Sequence, residues 1–481
     1  MNSIGYIYSK LIIKSVMIIL MLKGDKMGNI KDFIKISNNL IKVTNKDALR
    51  ASIDELIFQA VFSQDGEEKK ALLRLIIEAA KDIGIIPSSI NEFYKDIGKG
   101  RYKGFTVPAI NIRGLTYDSA RAVFRKAKEM SVGAFIFEIA RSEIGYTAQR
   151  PLEYSAVVLA AAIREGFEGP VFIQGDHFQI SGKRYIESQQ AEIDYLHGLI
   201  KEAIDAEFYN IDIDASTTVD LSKPTVKEQQ KPNYTITAAL TNYIREIEPK
   251  GITVSVGGEI GEIGKSNSTV EELKAFLDGF KETANKNQTG LSKISVQTGT
   301  SHGGVVLPDG TLAQIKIDFD TLKKLSDAAR NEYGLSGAVQ HGASTLPESA
   351  FGKFVESGCS EVHLATGFQN IIYDSKHMPS DFKTEVYEFI KKEFAKEKKD
   401  NQTEEQFIYS TRKKGFGSLK KRWWELPKEV KAGIAAELEE RFGLLFEKLN
   451  VVNTKDIVNR SIGKNIIKKG SSGKSVGKNE L

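Results

Sequence analysis

From residue 105 onward the sequence alternates between short β-rich runs and longer stretches of helical periodicity. Because strand and helix alternate eight times, we predict an α/β fold, a (β/α)8 TIM barrel of about the usual length. A doubly wound open sheet is the alternative, but no GxGxxG pattern follows the first run. The β-rich runs are residues 106–112, 134–139, 171–175, 207–213, 252–256, 293–298, 337–340 and 361–365.

The first 26 residues differ in texture from the rest of the chain. They contain an apolar run, residues 11–22, that Lys14 interrupts and that is too short to span a bilayer. A signal peptide is the alternative, but no small-residue cleavage site follows the run. We expect residues 1–26 to be a non-structural extension that precedes an ordinary start at Met27.

Helical patterning flanks the predicted barrel on both sides. Leu49, Ile53 and Ile57 recur at helical spacing and predict an N-terminal helical extension. The last twenty residues are rich in Lys, Gly and Ser, which predicts disorder. The predicted plan is an extension at 1–26, a helical preface at 27–99, the barrel at 100–378, C-terminal helices at 379–460 and a basic disordered tail at 461–481.

The composition excludes several classes of partner. A net charge of +4 over 481 residues gives no reason to expect nucleic acid, and 41% hydrophobic residues are normal for a globular protein. No membrane partner is expected. The single cysteine, Cys359, rules out an internal disulfide framework and fits a cytoplasmic location.

Four of the six histidines fall at predicted strand ends, where active sites of barrels gather. We predict that His177, His302 and His341 bind Zn²⁺, because zinc takes neutral imidazole nitrogens and leaves a coordination position open in catalytic sites. Cobalt and manganese suit the same ligands. The alternative for each histidine alone is a structural role in the core or in a turn. The fourth, His363, lies in the last predicted strand.

Glycines beside these histidines predict a phosphate site. Gly303, Gly304 and Gly342, with Ser344, present backbone N–H groups after the last strands, where barrels hold phosphate. The substrate is therefore expected to be phosphorylated. The alternative is a set of tight turns that need positive φ, which glycine also supplies.

Seven motifs stand in the order PAINI, GDH, IDAS, GGEIG, GTSHGG, QHGAS and HLATG. In this order, over about residues 100–378, they resemble those of the class II, metal-dependent fructose-bisphosphate aldolases. Residues 415–453, with WWELP before an amphipathic stretch, look like the C-terminal helices of the longer branch of that family. The resemblance implies reversible cleavage of fructose 1,6-bisphosphate to dihydroxyacetone phosphate and glyceraldehyde 3-phosphate through a zinc-stabilised enediolate.

The resemblance also implies roles around the metal. His177, His302 and His341 match the zinc ligands of the family. Asp176 matches the carboxylate that exchanges a proton with the C4 hydroxyl. Two acidic residues, Glu259 and Asp214, match a second or alternative metal position.

Further positions match the substrate contacts of the family. The loop after strand five carries Glu262, the nearest match to a glutamate that moves the enediolate proton, as a catalytic candidate. His363 stands where the family has an asparagine, and we place it with the substrate-binding residues. The full set of implied substrate contacts is Asn111, Gly303, Gly342, Ser344, His363 and Thr366.

The departures from the family pattern alter the substrate contacts and leave the metal ligands intact. Two alternatives therefore stand beside fructose 1,6-bisphosphate: an aldolase for another phosphorylated sugar, such as tagatose bisphosphate or a sulfo sugar, and a non-catalytic barrel subunit. The resemblance further implies a cytoplasmic homo-oligomer that acts in glycolysis and gluconeogenesis.

Overall fold

A closed barrel of eight parallel strands forms the centre of the chain in a computed structural model that describes residues 30–37, 40–261, 266–299 and 317–466. Each strand pairs in parallel with the next, and β8 pairs with β1. The predicted (β/α)8 TIM barrel is thus confirmed. The strands are β1 (Val107–Asn111), β2 (Ile136–Ala140), β3 (Gly169–Gln179), β4 (Asn210–Asp214), β5 (Ser255–Gly261), β6 (Lys293–Val296), β7 (Ala338–Gln340) and β8 (Glu361–Leu364).

Helices cover the outside of the barrel, so the strands are buried on both faces, as expected for a parallel sheet. Two of these helices begin with capping boxes, Thr225 with Glu228 and Thr269 with Glu272. In chain order the barrel helices are Thr116–Glu129, Arg141–Tyr146, Pro151–Glu165, Gly182–Glu187, Gln189–Asp205, Val226–Ile247, Val270–Thr283, Phe319–Tyr333, Phe351–Glu356 and Thr366–Asp374.

The N-terminal region contains strands that the prediction of an all-helical preface missed. Ile34–Ser37 and Leu40–Val43 pair as antiparallel strands, and Ile85–Pro87 pairs in parallel with the start of β3. Within each strand the inward side alternates with the outward side, the period of a strand: Ile34 and Ile41 are buried, whereas Lys35 and Lys42 are exposed. The helices of this region are Ile30–Phe33, Lys46–Phe62, Gly66–Asp82 and Asn91–Gly98. The extension predicted at residues 1–26 lies outside the described residues.

Helices also follow the barrel, as predicted. They are Ser380–Glu393, Glu404–Thr411, Gly415–Ser418, Lys420–Trp424, Lys428–Lys448 and Lys455–Ile466. The last one corrects the start of the predicted disordered tail, because it continues from residue 461 to Ile466. Its Val458 is buried, and the Ser461 hydroxyl donates a hydrogen bond to Asp96 at 2.8 Å. In the described part of the chain, no helix combines the length and apolarity needed to cross a membrane.

Candidate active site

An irregularity in β3 brings two consecutive side chains, Asp176 and His177, into one cavity. In a regular strand, successive side chains would point to opposite faces. Here the pairing of β3 with β4 shifts register between Gly175 and Phe178, and His177 has a positive φ of 41°. Such backbone at a non-glycine residue costs about 1–3 kcal/mol and persists only where the surrounding structure holds it. Together with the register shift, it brings the side chain of His177 into the same cavity as that of Asp176.

His177 lies between a ring nitrogen and two carboxylates that come from three other strands or strand ends. Its Nε2 is 2.7 Å from Nδ1 of His341, which follows β7. On its other side, Nδ1 is 2.9 Å from Glu259 of β5 and 3.4 Å from Asp214 of β4. His341 is held in turn by Ser295, whose hydroxyl is 3.0 Å from its Nε2.

The pKa values at this cluster reflect crowded anionic charge. Burial and the neighbouring Asp214 raise the pKa of Glu259 to about 7. Burial opposes charge on His177, but Glu259 and Asp176 outweigh it and raise the pKa of the imidazole well above its usual value. Burial also opposes charge on Asp214, where the hydrogen bond with His177 prevails and lowers the pKa.

The donor set of this cluster fits a divalent cation. Ligand atoms of Asp176, His177 and His341 lie within 4.8 Å of one another, and so do those of His177, Asp214 and Glu259. Imidazole nitrogens and carboxylate oxygens are ligands that zinc accepts. The two groups share His177, so they define two overlapping positions for a metal.

Four of the predicted site residues cannot be placed. Glu262, His302, Gly303 and Gly304 lie outside the described residues, so the loop glutamate, the third histidine ligand and two glycines of the phosphate site stay predictions. The two other predicted histidine ligands do come together, as the distances above show.

Asp176 is held from the opposite side by His363 of β8. Nδ1 of His363 is 3.1 Å from Asp176 Oδ1 and 3.0 Å from Glu138 Oε2, and its Nε2 is 2.6 Å from Glu361 Oε1. Both ring nitrogens therefore face carboxylates. Burial opposes the charged form, but Glu138 and Asp176 raise the pKa of His363 well above its usual value. Burial and Asp176 raise the pKa of Glu138 to about 7.

A buried lysine continues this charged network into the barrel. Lys293 of β6 is fully buried, with its Nζ 2.6 Å from Glu361 and 3.0 Å from Asp212. The same amine donates to Gln174 of β3 at 2.8 Å. Glu138, Lys293 and Glu361 were not singled out from the sequence as part of the site. The available signal was an ionisable residue within or at the start of an otherwise apolar β-run.

The cavity has a volume of about 1260 Å³ and opens at the carboxyl ends of the strands. Gly342 and Ser344 of the predicted phosphate site line it beside β7, and Thr366 of the implied substrate contacts lines it beside β8. Gly342 has a φ of 72°, which explains the glycine, and the Ser344 hydroxyl accepts a hydrogen bond from the Gly367 amide at 3.0 Å. Thr366 opens a helix, whose N-terminus favours anions.

Asn111, predicted to contact substrate, has a different environment. It is buried, does not line this cavity, and donates to Glu143 at 2.6 Å. Glu143 also binds Arg113, whose Nε is 2.7 Å away and which does line the cavity. Asn111 thus contributes to the site by fixing the Glu143–Arg113 pair. Neither Glu143 nor Arg113 was singled out from the sequence.

The sequence matches one known protein family over the barrel. The model of the family described as fructose-bisphosphate aldolase class-II matches residues 92–416, about two thirds of the chain. The match begins in the helix before the barrel and includes all eight strands. No curated protein matches the sequence.

Several solved structures are similar to this chain at low sequence identity. The fructuronate-tagaturonate epimerase UxaE from Cohnella laeviribosi is 10% identical with a TM-score of 0.55, over 85% of this chain and 91% of that one. Fructose-bisphosphate aldolase from Campylobacter jejuni is 16% identical with a TM-score of 0.47, over 77% of this chain and 96% of that one. The YdjI aldolase from Escherichia coli K12 is 13% identical with a TM-score of 0.46, over 76% of this chain and 98% of that one. The similarity to UxaE shows a common fold.

Proposed function

Because the chain belongs to the class II fructose-bisphosphate aldolase family, we propose that it is a metal-dependent aldehyde-lyase. The proposed reaction is the reversible cleavage of fructose 1,6-bisphosphate to dihydroxyacetone phosphate and glyceraldehyde 3-phosphate. One observation carries the proposal: Asp176, His177 and His341 bring an acid–base group and two metal-binding nitrogens together in the wall of a large cavity.

The metal proposed for this site is zinc. His177 and His341 would hold it, with His302 as the third ligand by family resemblance, while Asp214 and Glu259 offer a second position for an ion. A bound zinc would act as a Lewis acid and stabilise the negative charge left when the C3–C4 bond breaks. The buried carboxylates support a cation at this position, because burial and the neighbouring Asp214 raise the pKa of Glu259 and a cation would balance that negative charge.

Asp176 is the proposed proton carrier. In cleavage it would take the proton of the C4 hydroxyl, and in condensation it would return that proton to the aldehyde oxygen. Its position next to His177 in the chain keeps it close to the metal position. His363, 3.1 Å from its carboxylate, supports the orientation of that carboxylate. Glu262 stays the candidate for moving the proton at C3.

The phosphate of the triose half would lie against Gly342, Ser344 and Thr366, with Gly303 as a further contact by resemblance. The backbone amides near these residues and the N-terminus of the helix at Thr366 support that placement. As the family resemblance implies, we further propose a cytoplasmic homo-oligomer that acts in glycolysis and gluconeogenesis.

Chelation tests the reaction class. Purified protein would be stripped with EDTA and then reloaded with Zn²⁺, Co²⁺ or Mn²⁺, and triose phosphate release from fructose 1,6-bisphosphate would be measured in a coupled assay. The expected result is cleavage by the zinc-loaded protein, loss of most activity after chelation and recovery on reloading. A parallel assay with tagatose 1,6-bisphosphate is expected to give a lower kcat/KM.

The outcomes separate the alternatives. Faster cleavage of tagatose 1,6-bisphosphate than of fructose 1,6-bisphosphate would make tagatose 1,6-bisphosphate the proposed substrate. The proposed reaction class, a metal-dependent aldol cleavage, would stand. Cleavage that survives complete chelation would contradict the metal-dependent mechanism. Failure to cleave any ketose bisphosphate in the panel would favour a non-catalytic barrel subunit.

A further inference from the structure

The floor of the cavity contains a carboxyl group, that of Glu138, to which the proposed reaction assigns no role. Glu138 lies in β2 and is 0% exposed, yet it lines the cavity. Side chains two residues apart on a strand point to the same face, so Glu138 lies one layer below Ala140, which also lines the cavity. Because alanine has no atoms beyond Cβ, it leaves the carboxyl group below it within reach of the cavity.

One of the two carboxyl oxygens of Glu138 is firmly held. Oε2 lies 3.0 Å from Nδ1 of His363 and accepts a hydrogen bond from the Gln174 amide at 3.1 Å. The backbone is fixed as well, because the carbonyl of Glu138 accepts a hydrogen bond from the Tyr154 hydroxyl at 2.7 Å and β2 pairs with a strand on either side. The carboxyl group therefore has a defined orientation.

The other oxygen, Oε1, is buried and has no hydrogen-bond partner within the described ranges. Two other carboxylates of the cavity wall, those of Asp214 and Glu143, have partners on both oxygens. A buried acceptor without a donor costs free energy, and such groups are rare in folded proteins. Oε1 of Glu138 is therefore an acceptor at the cavity that a ligand with a hydroxyl group would satisfy.

Glu138 lies beside the proposed proton carrier. Nδ1 of His363 is 3.1 Å from Asp176 Oδ1 and 3.0 Å from Glu138 Oε2, so the two carboxyl groups flank one ring nitrogen. They come from neighbouring strands, β2 and β3. The proposed metal ligands come from the strands β3 to β7, and the glycine and serine of the phosphate site follow β7. Glu138 thus lies next to Asp176 on the side away from both.

We propose that Oε1 of Glu138 accepts a hydrogen bond from the C5 hydroxyl of the ketose bisphosphate. This inference rests on the proposed function, in which Asp176 contacts the C4 hydroxyl while the metal and the first phosphate site hold carbons C1 to C3. The aldehyde half, C4 to C6, then extends from Asp176 away from the metal, and β2 borders that side. C5 carries the next hydroxyl along the sugar. Glu138 would therefore make the enzyme selective for aldehydes with a hydroxyl on C2.

Such a contact discriminates against an aldehyde that lacks the hydroxyl, because the buried acceptor would then stay unpaired. Glyceraldehyde 3-phosphate carries this hydroxyl on C2, which becomes C5 of the ketose. The same aldehyde without it is 3-oxopropyl phosphate. Wild type should prefer glyceraldehyde 3-phosphate by roughly 10- to 100-fold in kcat/KM, the factor that corresponds to a hydrogen bond with a charged group.

Condensation with dihydroxyacetone phosphate tests the contact. Zinc-loaded wild type and Glu138→Met would be compared on the two aldehydes at about pH 8, above the Glu138 pKa of about 7, so that the carboxyl group is ionised. In Glu138→Met the preference should fall to within about twofold, because methionine has a similar length and no comparable acceptor. An unchanged preference would overturn the contact, while condensation by wild type upheld the proposed function.

Two further variants separate a substrate contact from an effect on folding or on Asp176. Glu138→Gln keeps the shape of the side chain and places an amide NH2 at the position of Oε1. The preference should fall to about 3- to 10-fold, because a charge-assisted hydrogen bond is roughly twice as strong as a neutral one. The preference therefore stays testable if Glu138→Met does not fold, and a wild-type preference in Glu138→Gln would then overturn the contact.

Glu361→Gln is the matched control. Glu361 is also 0% exposed and contacts the other ring nitrogen of His363 at 2.6 Å, but it does not line the cavity. Any effect that passes through His363 to Asp176 should slow both aldehydes equally and leave the preference as in wild type. A preference that fell as far as in Glu138→Gln would show that both glutamates act through His363, and would overturn the contact.

Binding to the metal-stripped protein provides a readout without turnover. Calorimetry would compare fructose 1,6-bisphosphate with its 5-deoxy analogue, and this measurement also decides the case in which wild type condenses neither aldehyde, a result that would overturn the proposed function. Tighter binding of fructose 1,6-bisphosphate than of the analogue by wild type, but not by Glu138→Met, would support the contact. Equal binding of the two sugars by wild type, or no binding of either, would overturn it.

Discussion

His363 connects the cavity to the charged interior of the barrel. Its two ring nitrogens face Asp176 and Glu361 at 3.1 and 2.6 Å, so rotation of the ring would lose both contacts. Glu361 is itself fixed by Lys293 and by the hydroxyl of Tyr94. The orientation of the Asp176 carboxylate is thus set by a chain of contacts that begins deep in the fold.

At the residue scale, we predict that His363→Asn lowers kcat with little change in KM. The shorter amide removes the positive charge between Asp176 and Glu361 and cannot contact both. A fall in kcat of about 10- to 100-fold is expected for a misplaced proton carrier, with zinc content unchanged. Steady-state kinetics on fructose 1,6-bisphosphate, with metal analysis of the same samples, would measure both quantities.

His197→Asn is the matched control for that variant. His197 lies on helix Gln189–Asp205, outside the cavity, with its ring 4.2 Å from that of Tyr243. Its replacement should leave kcat and zinc content unchanged. If His363→Asn lost zinc in proportion to its activity, or kept the full kcat, the positioning role would be wrong.

The candidate site was partly predictable because its chemistry is visible in the sequence. Histidines and glycines at strand ends have few other reasons to recur there, and His177, His341 and Gly342 do lie at one cavity. Arg113 and Glu143 gave no comparable signal. They are two charged residues among many, and only the packing of the loop after β1 against the helix after β2 pairs them at the cavity.

At the scale of elements, the sequence predicted the eight barrel strands because parallel strands that are buried on both faces are nearly continuous apolar runs. The paired strands at Ile34–Ser37 and Leu40–Val43 were missed because helical periodicity dominates the rest of that region. The irregularity in β3 was also unpredictable. It depends on how Phe178 packs against Gly175, a tertiary contact.

We predict that Gly175→Ala destabilises the protein and weakens metal binding. A Cβ at this position would lie 2.5 Å from the ring of Phe178, which is fully buried and has no room to move. Overpacking of this kind costs about 1–3 kcal/mol. Movement of Phe178 would also displace the adjacent His177. Urea denaturation and zinc titration of the stripped protein would measure the two effects.

Gly198→Ala provides the comparison for a glycine with free space. Gly198 lies in helix Gln189–Asp205, and a Cβ there would meet nothing within 4 Å. Alanine should stabilise this helix by up to about 1 kcal/mol and leave zinc affinity unchanged. A Gly175→Ala protein as stable as wild type, with equal zinc affinity, would show that the β3 irregularity does not depend on this contact.

At the scale of the whole molecule, one buried polar network ties the N-terminal region to the barrel. Lys293 is at its centre, and the fully buried Tyr94 extends it to the helix before the barrel. That helix also begins the region matched by the family model. The N-terminal region is therefore part of the folded core. The members of the network are Tyr94, Glu138, Gln174, Asp212, Lys293, Glu361 and His363.

We predict that Lys293→Met destabilises the whole fold by about 3–5 kcal/mol, because the buried Glu361 and Asp212 lose the amine that pairs with both and keep only His363 as a cationic neighbour. Burial opposes charge on Glu361, but Lys293 and His363 lower its pKa, so this carboxylate depends on that cation to stay ionised. Urea denaturation followed by circular dichroism would give the free energy of unfolding.

Lys274→Met, which breaks an exposed ion pair with Glu332, is the matched control and should cost less than about 1 kcal/mol of that free energy. Adding Glu361→Gln to Lys293→Met should recover part of the lost stability, and a double variant that is less stable by the sum of both single losses would refute this coupling.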